Sequence, residues 1–263
     1  MRALRLLFVV TGALALGFGM VLAVSLWMFG GGSPEEALAE TTKRLSGVSS
    51  ASFTMRMTMT SDDAELSMEA DGVLLLTGDA RFAGTITAGT DVRRFEEIIT
   101  QDAVYLRLPP DERWYSISMA AYRQPGSSPL GYGASPGEFL DCFSAFDGVE
   151  ETGRETVDGR PCRRYRLTID LAALTEAAED AGGIGAEQAA LVQEIASGSE
   201  MLVEAWIAED DLLPVREEIT MQVRQPFLAD VHVIIDFTSF NDIVEVQPPR
   251  ESTPLAIPPA TEA

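Results

Sequence analysis

Segments in which apolar and polar residues alternate run through most of the chain. The clearest pair, residues 201–208 and 214–225, flanks an acidic turn at 209–211. Because successive side chains of a strand point to opposite faces, this pattern predicts a half-buried antiparallel hairpin. A third such segment, 230–240, follows a break at Pro226. The C-terminal third of the chain is therefore predicted to be a β-meander.

Earlier segments continue the same alternation. The predicted strands there are 52–60, 65–76, 81–88, 93–100, 103–108, one beginning at 114–117, one around 150–156, and 162–169. Strands this short, separated by Gly, Asp and Pro, indicate an antiparallel sheet with many strands. Helices are predicted at 34–45, 136–146, 171–180 and 186–197. The first has a capping box, with Ser33 as N-cap, Pro34 at the first helical position and Glu36 three residues after Ser33.

The N-terminal region contains the longest apolar run. Residues 6–29 carry no charge and follow Arg2 and Arg5. A run of this length crosses a hydrocarbon core of about 30 Å, and the arginines predict an N-terminus inside and a domain outside the cytoplasmic membrane. The prediction is an uncleaved single-pass transmembrane helix. A cleaved signal peptide, giving a secreted protein, is the alternative, although the small-residue triplet 23–25 lies within the run.

Charge and size narrow the classes of function. The chain has 41 acidic and 19 basic residues, a formal net charge of −22, which repels nucleic acid and anionic bilayers. Its length suits one domain of about 200 residues with appendages. The predicted division is an anchor or signal sequence with a joint at 1–33, a domain at 34–247, and a disordered Pro-rich tail at 248–263.

Cys142 and Cys162 are the two cysteines of the chain. In an oxidising compartment this spacing allows a disulfide that contributes about 3 kcal/mol. A redox pair or metal site is the alternative, but there is no Cys-x-x-Cys spacing and no histidine nearby. We predict the disulfide.

Candidate catalytic residues are few. Ser135 lies in a Gly-x-Ser-x-Gly pattern upstream of His232, as in α/β-hydrolases. A nucleophile elbow needs a preceding buried strand, whereas Ser135 follows the loop 124–134 and has the context of a helix cap. His232 lies opposite in phase to the apolar residues of its strand, which predicts a solvent-facing or rim position. No phosphate loop, metal-spaced cluster or dinucleotide motif is present, so we predict no catalytic residue, no metal and no cofactor.

Three motifs carry a family resemblance. Trp206-Ile207, an acidic turn and then Leu213-Pro214-Val215-Arg216 resemble the hairpin of LolA-like lipid-carrier domains, and most closely that of the LppX/LprG group of envelope lipoproteins. Gly159 followed by Tyr165-Arg166-Leu167 and Asp170-Leu171 matches as well. So does Asp236-Phe237 with Phe240-Asn241 before Pro248-Pro249. The resemblance covers residues 34–249, but the acylated cysteine that follows the signal sequence in those lipoproteins is absent here.

The resemblance implies an α+β fold, in which a strongly curved antiparallel sheet forms a half-barrel with helices on its concave side. It also implies non-enzymatic binding or transfer of a lipid in an apolar cavity between sheet and helices. The residues expected to line that cavity share the inward strand phase, and methionine, being flexible and polarisable, suits irregular acyl chains. They are Phe53, Met55, Met57, Met59, Leu66, Met68, Phe82, Phe95 and Met221.

The sequence leaves two alternatives open. These residues could simply fill the core beneath the helices. The domain could also be an envelope sensing or scaffolding module that binds a protein partner, as related domains in envelope-stress regulators do.

Overall fold

The computed structural model describes residues 47–61, 64–75, 77–107, 112–122, 146–169, 199–224, 228–242 and 244–255. Within these ranges the chain forms twelve strands and one short helix. The first six strands are β1 Ser50–Ser61, β2 Ala64–Leu75, β3 Ala80–Ala88, β4 Asp91–Ile99, β5 Ala103–Arg107 and β6 Tyr115–Ser118. The remaining elements are α1 Met119–Tyr122, β7 Phe146–Val157, β8 Arg160–Ile169, β9 Ser199–Ala208, β10 Pro214–Val223, β11 Ala229–Phe240 and β12 Thr253–Pro254.

The twelve strands form one sheet in the order β12-β6-β5-β4-β3-β2-β1-β11-β10-β9-β8-β7. Strands β1 to β6 follow one another as a meander, and β7 to β11 form a second meander. The antiparallel pair β1/β11 joins the two meanders at the centre of the sheet. All neighbours are antiparallel except β12, which runs parallel to β6.

The predicted α+β class is wrong. The described residues are nearly all β and form one large, open, curved antiparallel sheet, and within them no helix lies on its concave side. Helix α1 is a single turn beside β6. The period-two alternation persists through these residues and is satisfied by one sheet. The four predicted helices lie in segments that are wholly or almost wholly outside the described residues.

No helix in the described ranges is both long and apolar enough to cross a membrane. The predicted transmembrane helix at residues 6–29, the loop at 124–137, Ser135 and Cys142 all lie outside those ranges. The predicted disulfide gains no support either, since Cys162 carries a free, buried thiol in the structure.

The hairpin β9/β10 forms as its alternation predicts. The turn between the strands is closed by hydrogen bonds from the Ala208 N–H to the Leu213 carbonyl (3.0 Å) and from the Leu212 N–H to the Ala208 carbonyl (3.1 Å). Asp211 accepts a further bond from the Leu213 N–H at 3.0 Å. The acidic residues of the motif therefore shape the turn.

The hairpin β7/β8 has a two-residue turn at Asp158 and Gly159. Both residues have positive φ, 50° and 80°. This is the backbone of a type I′ turn, whose twist matches that of the flanking strands and which favours the Asp-Gly sequence found here. Glycine at position 159 is therefore explained by the turn.

The C-terminal segment returns to the sheet. The Thr253 N–H donates to the Trp114 carbonyl and the Leu255 N–H to the Ser116 carbonyl, both at 2.8 Å. The composition of the tail predicts disorder from residue 248 onwards, whereas residues 253–254 add a short strand to the edge of β6.

Candidate functional site

One face of the sheet, here called the inner face, carries a continuous apolar cluster. It extends over eight neighbouring strands, from β4 to β8 in sheet order. Its buried members are Phe53, Met55, Met57, Met59, Leu66, Met68, Ala70, Leu74, Ala80, Phe82, Phe95, Tyr165, Val203, Ala205, Ile207, Ile219, Val231, Val233 and Ile235. The face forms because odd positions of β1 and β11 and even positions of β2 and β3 are apolar and lie in register.

All nine residues predicted from the inward phase lie on this face. Eight of them are buried, and Met221 is partly buried and packs against them. The structure therefore brings together the whole set that the sequence placed in one phase.

Methionine is concentrated at the centre of the inner face. Met57 lies directly opposite Met68 on β2 and Val233 on β11, and is 1% exposed. Met221 and Met201 form a second cross-strand pair on β10 and β9, and both are partly buried. Six of the ten methionines of the chain thus belong to one face. Flexible thioether side chains let such a surface follow partners of irregular shape.

An aromatic row crosses the inner face. In register across β11, β1, β2, β3, β4 and β5, it consists of Phe237, Phe53, Gly72, Phe82, Glu97 and Leu106. The Phe53 ring lies 5.9 Å from the Phe82 ring and 6.4 Å from the Phe237 ring, between centroids. These separations and tilted planes are favourable for aromatic pairs.

Gly72 makes the aromatic row possible. A Cβ at this position would lie 2.1 Å from the Cζ atom of Phe53, so the ring occupies the space that a side chain would take. The ring covers the β2 backbone and reaches Phe82 on the next strand. Gly72 is thus required by close packing.

Two carboxylates lie on the inner face, and sequence analysis missed both. Glu217 is fully buried on β10, opposite Ala205 and Ile235. Glu97 on β4 stands in the aromatic row, opposite Phe82 and Leu106. Burial raises the pKa of the Glu97 carboxyl to about 7, because desolvation disfavours the charged form. The alternation along each strand could have identified both carboxylates, because Glu97 lies two residues from Phe95 and Glu217 two residues from Ile219, and residues two apart in a strand share a face.

The opposite, outer face is polar and cross-linked by ion pairs. Asp236 accepts bonds from Arg56 at 2.9 Å and Arg216 at 2.5 Å, which tie β1 and β10 to β11. Glu204 pairs with Arg164 at 2.5 Å and Arg166 at 3.1 Å. The arginines of these pairs are partly exposed, so solvent screens the pairs and each contributes modestly to stability.

Trp206 is the aromatic anchor of the outer face. The Arg164 guanidinium carbon lies 4.9 Å from the centroid of its ring, a cation–π contact. Its indole N–H donates to a carboxylate oxygen of Glu155. Trp206 also packs with Val215 and Cys162 in a small second cluster. The residues of the hairpin motif therefore hold β8, β9 and β10 together.

Of the two candidate catalytic residues, Ser135 lies outside the described residues and only His232 can be placed. His232 lies on the outer face, its Nε2 2.7 Å from an oxygen of Glu218 and its side chain 40% exposed, as its phase predicted. Burial raises the pKa of the Cys162 thiol, and the described residues contain no group of three or more metal-ligating side chains. The inner face is therefore the candidate site.

Comparison with known proteins finds similarity at the level of fold. No family model and no curated protein matches the chain. Among solved structures, it is similar to the lipoprotein LppX from Mycobacterium tuberculosis, at 17% identity and a TM-score of 0.45, over 78% of this chain and 93% of LppX. LprF from Mycobacterium bovis matches at 16% identity and a TM-score of 0.46, over 79% of this chain and 92% of LprF.

A LolA-superfamily protein from Nitrosomonas europaea matches at 10% identity and a TM-score of 0.28, over 76% of this chain and 91% of that protein.

Proposed function

We propose that this chain binds a lipid or lipid-like ligand against the inner face of its sheet, without chemically changing it. The observation that carries the proposal is the apolar cluster itself, which is continuous over eight neighbouring strands and rich in methionine. Binding of an acyl chain needs apolar surface and adaptable side chains, and no nucleophile or general base.

The extent of the inner face suits an acyl chain. Eight strands spaced by about 4.8 Å span about 34 Å measured along the sheet. Two acyl chains placed end to end fill a bilayer core of about 30 Å, so one chain takes about half of that. A single chain lying across the strands would therefore contact several of the methionine and phenylalanine side chains at once.

The proposed place of action is outside the cytoplasmic membrane. The support is in the sequence, where residues 6–29 form an uncharged apolar run after Arg2 and Arg5. Such a run directs the following domain across the membrane.

The competing explanation is an ordinary packed core, and substitutions at Met57 separate the two. If Met57 contacts ligand, Met57→Trp fills the binding space and lowers the amount of fluorescent acyl probe bound at saturation, while the fold persists. In a closed core the same change overpacks and costs about 1–3 kcal/mol of stability or more. Met57→Ala is expected to cost less than the roughly 2–5 kcal/mol typical of a packed core methionine.

Thr58→Trp is the matched control. Thr58 is the next residue of β1, exposed on the outer face, so the same bulk is added without touching the inner face. Probe titration and urea unfolding of all four proteins form the experiment. Saturable binding by the parent and Thr58→Trp, reduced in Met57→Trp, supports the proposal. If the parent shows no saturable binding and both Met57 variants lose much of their stability, the inner face is an ordinary packed core and the proposal is wrong.

Native mass spectrometry of the chain purified from its own host tests the same proposal without a chosen probe. Co-purified lipid supports it. A protein partner that co-purifies without lipid would contradict it and favour the sensing or scaffolding alternative.

A further inference from the structure

The aromatic row contains a charged residue where an apolar one is expected. Glu97 takes its place in β4 between Phe95 and Ile99, which have the same inward phase. No hydrogen bond or ion pair within the described part of the chain involves Glu97. A carboxyl group is costly at such a position unless a polar partner reaches it.

The surroundings of Glu97 on the neighbouring strands are uncharged. On β3 the adjacent inward positions are Ala80, Phe82 and Gly84, and on β5 they are Val104 and Leu106. Along β4 itself the nearest inward charges are Arg93, four residues away, and Asp91, which pair with each other at 2.6 Å.

The other titratable groups of the inner face are more distant in the sheet. Tyr115 follows Leu106 in the aromatic row, on β6, and Tyr165 and Arg163 take inward positions on β8. Glu217 lies on β10, beyond β3, β2, β1 and β11 in sheet order. Among the described residues, Glu97 is therefore the carboxyl group that lies beside the aromatic side chains.

We propose that Glu97 is the polar contact of the lipid site, and that it selects neutral lipids bearing hydroxyl groups over lipids with an ionised headgroup. This inference rests on the proposed function. A hydroxyl group donates to the carboxyl oxygens whether Glu97 is protonated or ionised. A carboxylate, sulfonate or phosphate headgroup meets a like charge once Glu97 is ionised, in a partly solvated site where the repulsion is stronger than in bulk water.

The pH dependence of binding follows from the raised pKa of Glu97, about 7. Near pH 5.5 its carboxyl is mostly neutral, and near pH 8.5 it is mostly ionised. Binding of an anionic lipid should therefore weaken as the pH rises between these values, while binding of a neutral lipid should stay constant.

The experiment uses two fluorescent probes with the same acyl chain and the full-length chain. One is a monoacylglycerol, and the other is an alkyl sulfonate, which stays anionic throughout and so contributes no titration of its own. For the parent, the sulfonate Kd should rise about tenfold between roughly pH 5.5 and 8.5, the effect of one like charge nearby in a partly solvated site. The monoacylglycerol Kd should stay within about twofold, since a neutral headgroup has no charge to repel.

Glu97→Gln should abolish the rise in the sulfonate Kd and leave the monoacylglycerol bound. Glu69→Gln is the matched control, because it removes one negative charge from an exposed position on the outer face of β2 and should retain the rise. An undiminished rise in Glu97→Gln, or equal affinity of the parent for both probes at the higher pH, overturns the role of Glu97 while leaving lipid binding intact. If the parent binds neither probe saturably, the proposed function fails, and this inference with it.

Discussion

At the scale of single residues, two positions of the inner face do not carry the apolar side chain found at their neighbours. Gly72 has no side chain because the Phe53 ring occupies its space. Glu97 is an ionisable residue in a row of aromatic and aliphatic residues. Gly72 and Glu97 both lie in the aromatic row, which therefore combines close ring packing with an ionisable group.

Glu97 should make stability depend on pH in a defined direction. Its pKa in the folded chain is about 7, above the ordinary value of 4.5, so the folded state binds a proton that the unfolded state has released between these values. The stability that the folded chain gains by binding this proton is therefore fully present below pH 4.5 and is lost as the pH rises through about 7. Glu97→Gln, which stays neutral, should be more stable than the parent by roughly 1–3 kcal/mol near pH 8 and nearly equal to it near pH 4.5.

Urea unfolding of both proteins at the two pH values measures this difference. Glu69→Gln serves again as control, because its exposed position should give no gain at either pH. A Glu97→Gln variant that is less stable than the parent near pH 8 would show that the ionised carboxylate is stabilised in the folded chain, contrary to this account.

At the scale of elements, the two edges of the sheet differ. Strand β7 has bulges near Phe146 and Glu151 and exposed charged side chains, both of which discourage pairing with another chain. Strand β6 is short, and β12 covers its edge through two backbone hydrogen bonds and a 3.1 Å bond between the Ser252 and Ser116 hydroxyls. Residues 251–255 are exposed. The β12 segment is therefore expected to bind only weakly to the edge of β6.

Removing β12 should uncover an edge without unfolding the domain. A chain truncated after Arg250 is expected to lose less than about 1 kcal/mol, since the lost bonds are exposed to water, and to self-associate more through β6. Unfolding curves and light scattering measure the two effects. Truncation after Leu255 keeps β12 and should behave like the parent. A large loss of stability on truncation after Arg250 would mean that the segment does more than cover an edge.

At the scale of the whole molecule, charge opposes folding. With 41 acidic and 19 basic residues, the folded chain concentrates like charges that the unfolded chain spreads out. The outer-face ion pairs, such as Arg56 with Asp236, offset part of this repulsion, but they are exposed and individually weak.

Salt should therefore stabilise the protein. Raising NaCl from about 0.02 M to about 0.5 M near pH 8 screens repulsion over most of the surface and is expected to add on the order of 1 kcal/mol, a rise in Tm of about 2–4 °C. The same titration near pH 4.5, where fewer carboxylates are ionised, should give a smaller rise. A fall in Tm with salt would show that the ion pairs outweigh the repulsion.

Much of the sheet was predictable because alternation is a local property. The alternation of 52–60, 201–208, 214–225 and 230–240 predicts which side chains share a face. Within the described residues the structure confirms this except at Val215, where a bulge in β10 places the side chain in the Trp206 cluster of the outer face. The acidic turn of the hairpin and the outward position of His232 follow from the same reasoning.

Only the tertiary structure decided how these strands meet. Alternation does not determine which strands pair with each other. The β1/β11 pair that joins the two meanders and the pairing of residues 253–254 with β6 are both long-range contacts. The predicted α+β class failed because the described residues pair into a single large sheet, whereas the segments predicted as helices lie wholly or almost wholly outside them. The inward positions of Glu97 and Glu217 follow from the alternation of their strands. Their surroundings depend on residues of neighbouring strands. Glu97 faces Phe82 and Leu106, and Glu217 faces Ala205 and Ile235. Local sequence determines which face a side chain takes, and register across the sheet determines what that side chain faces there.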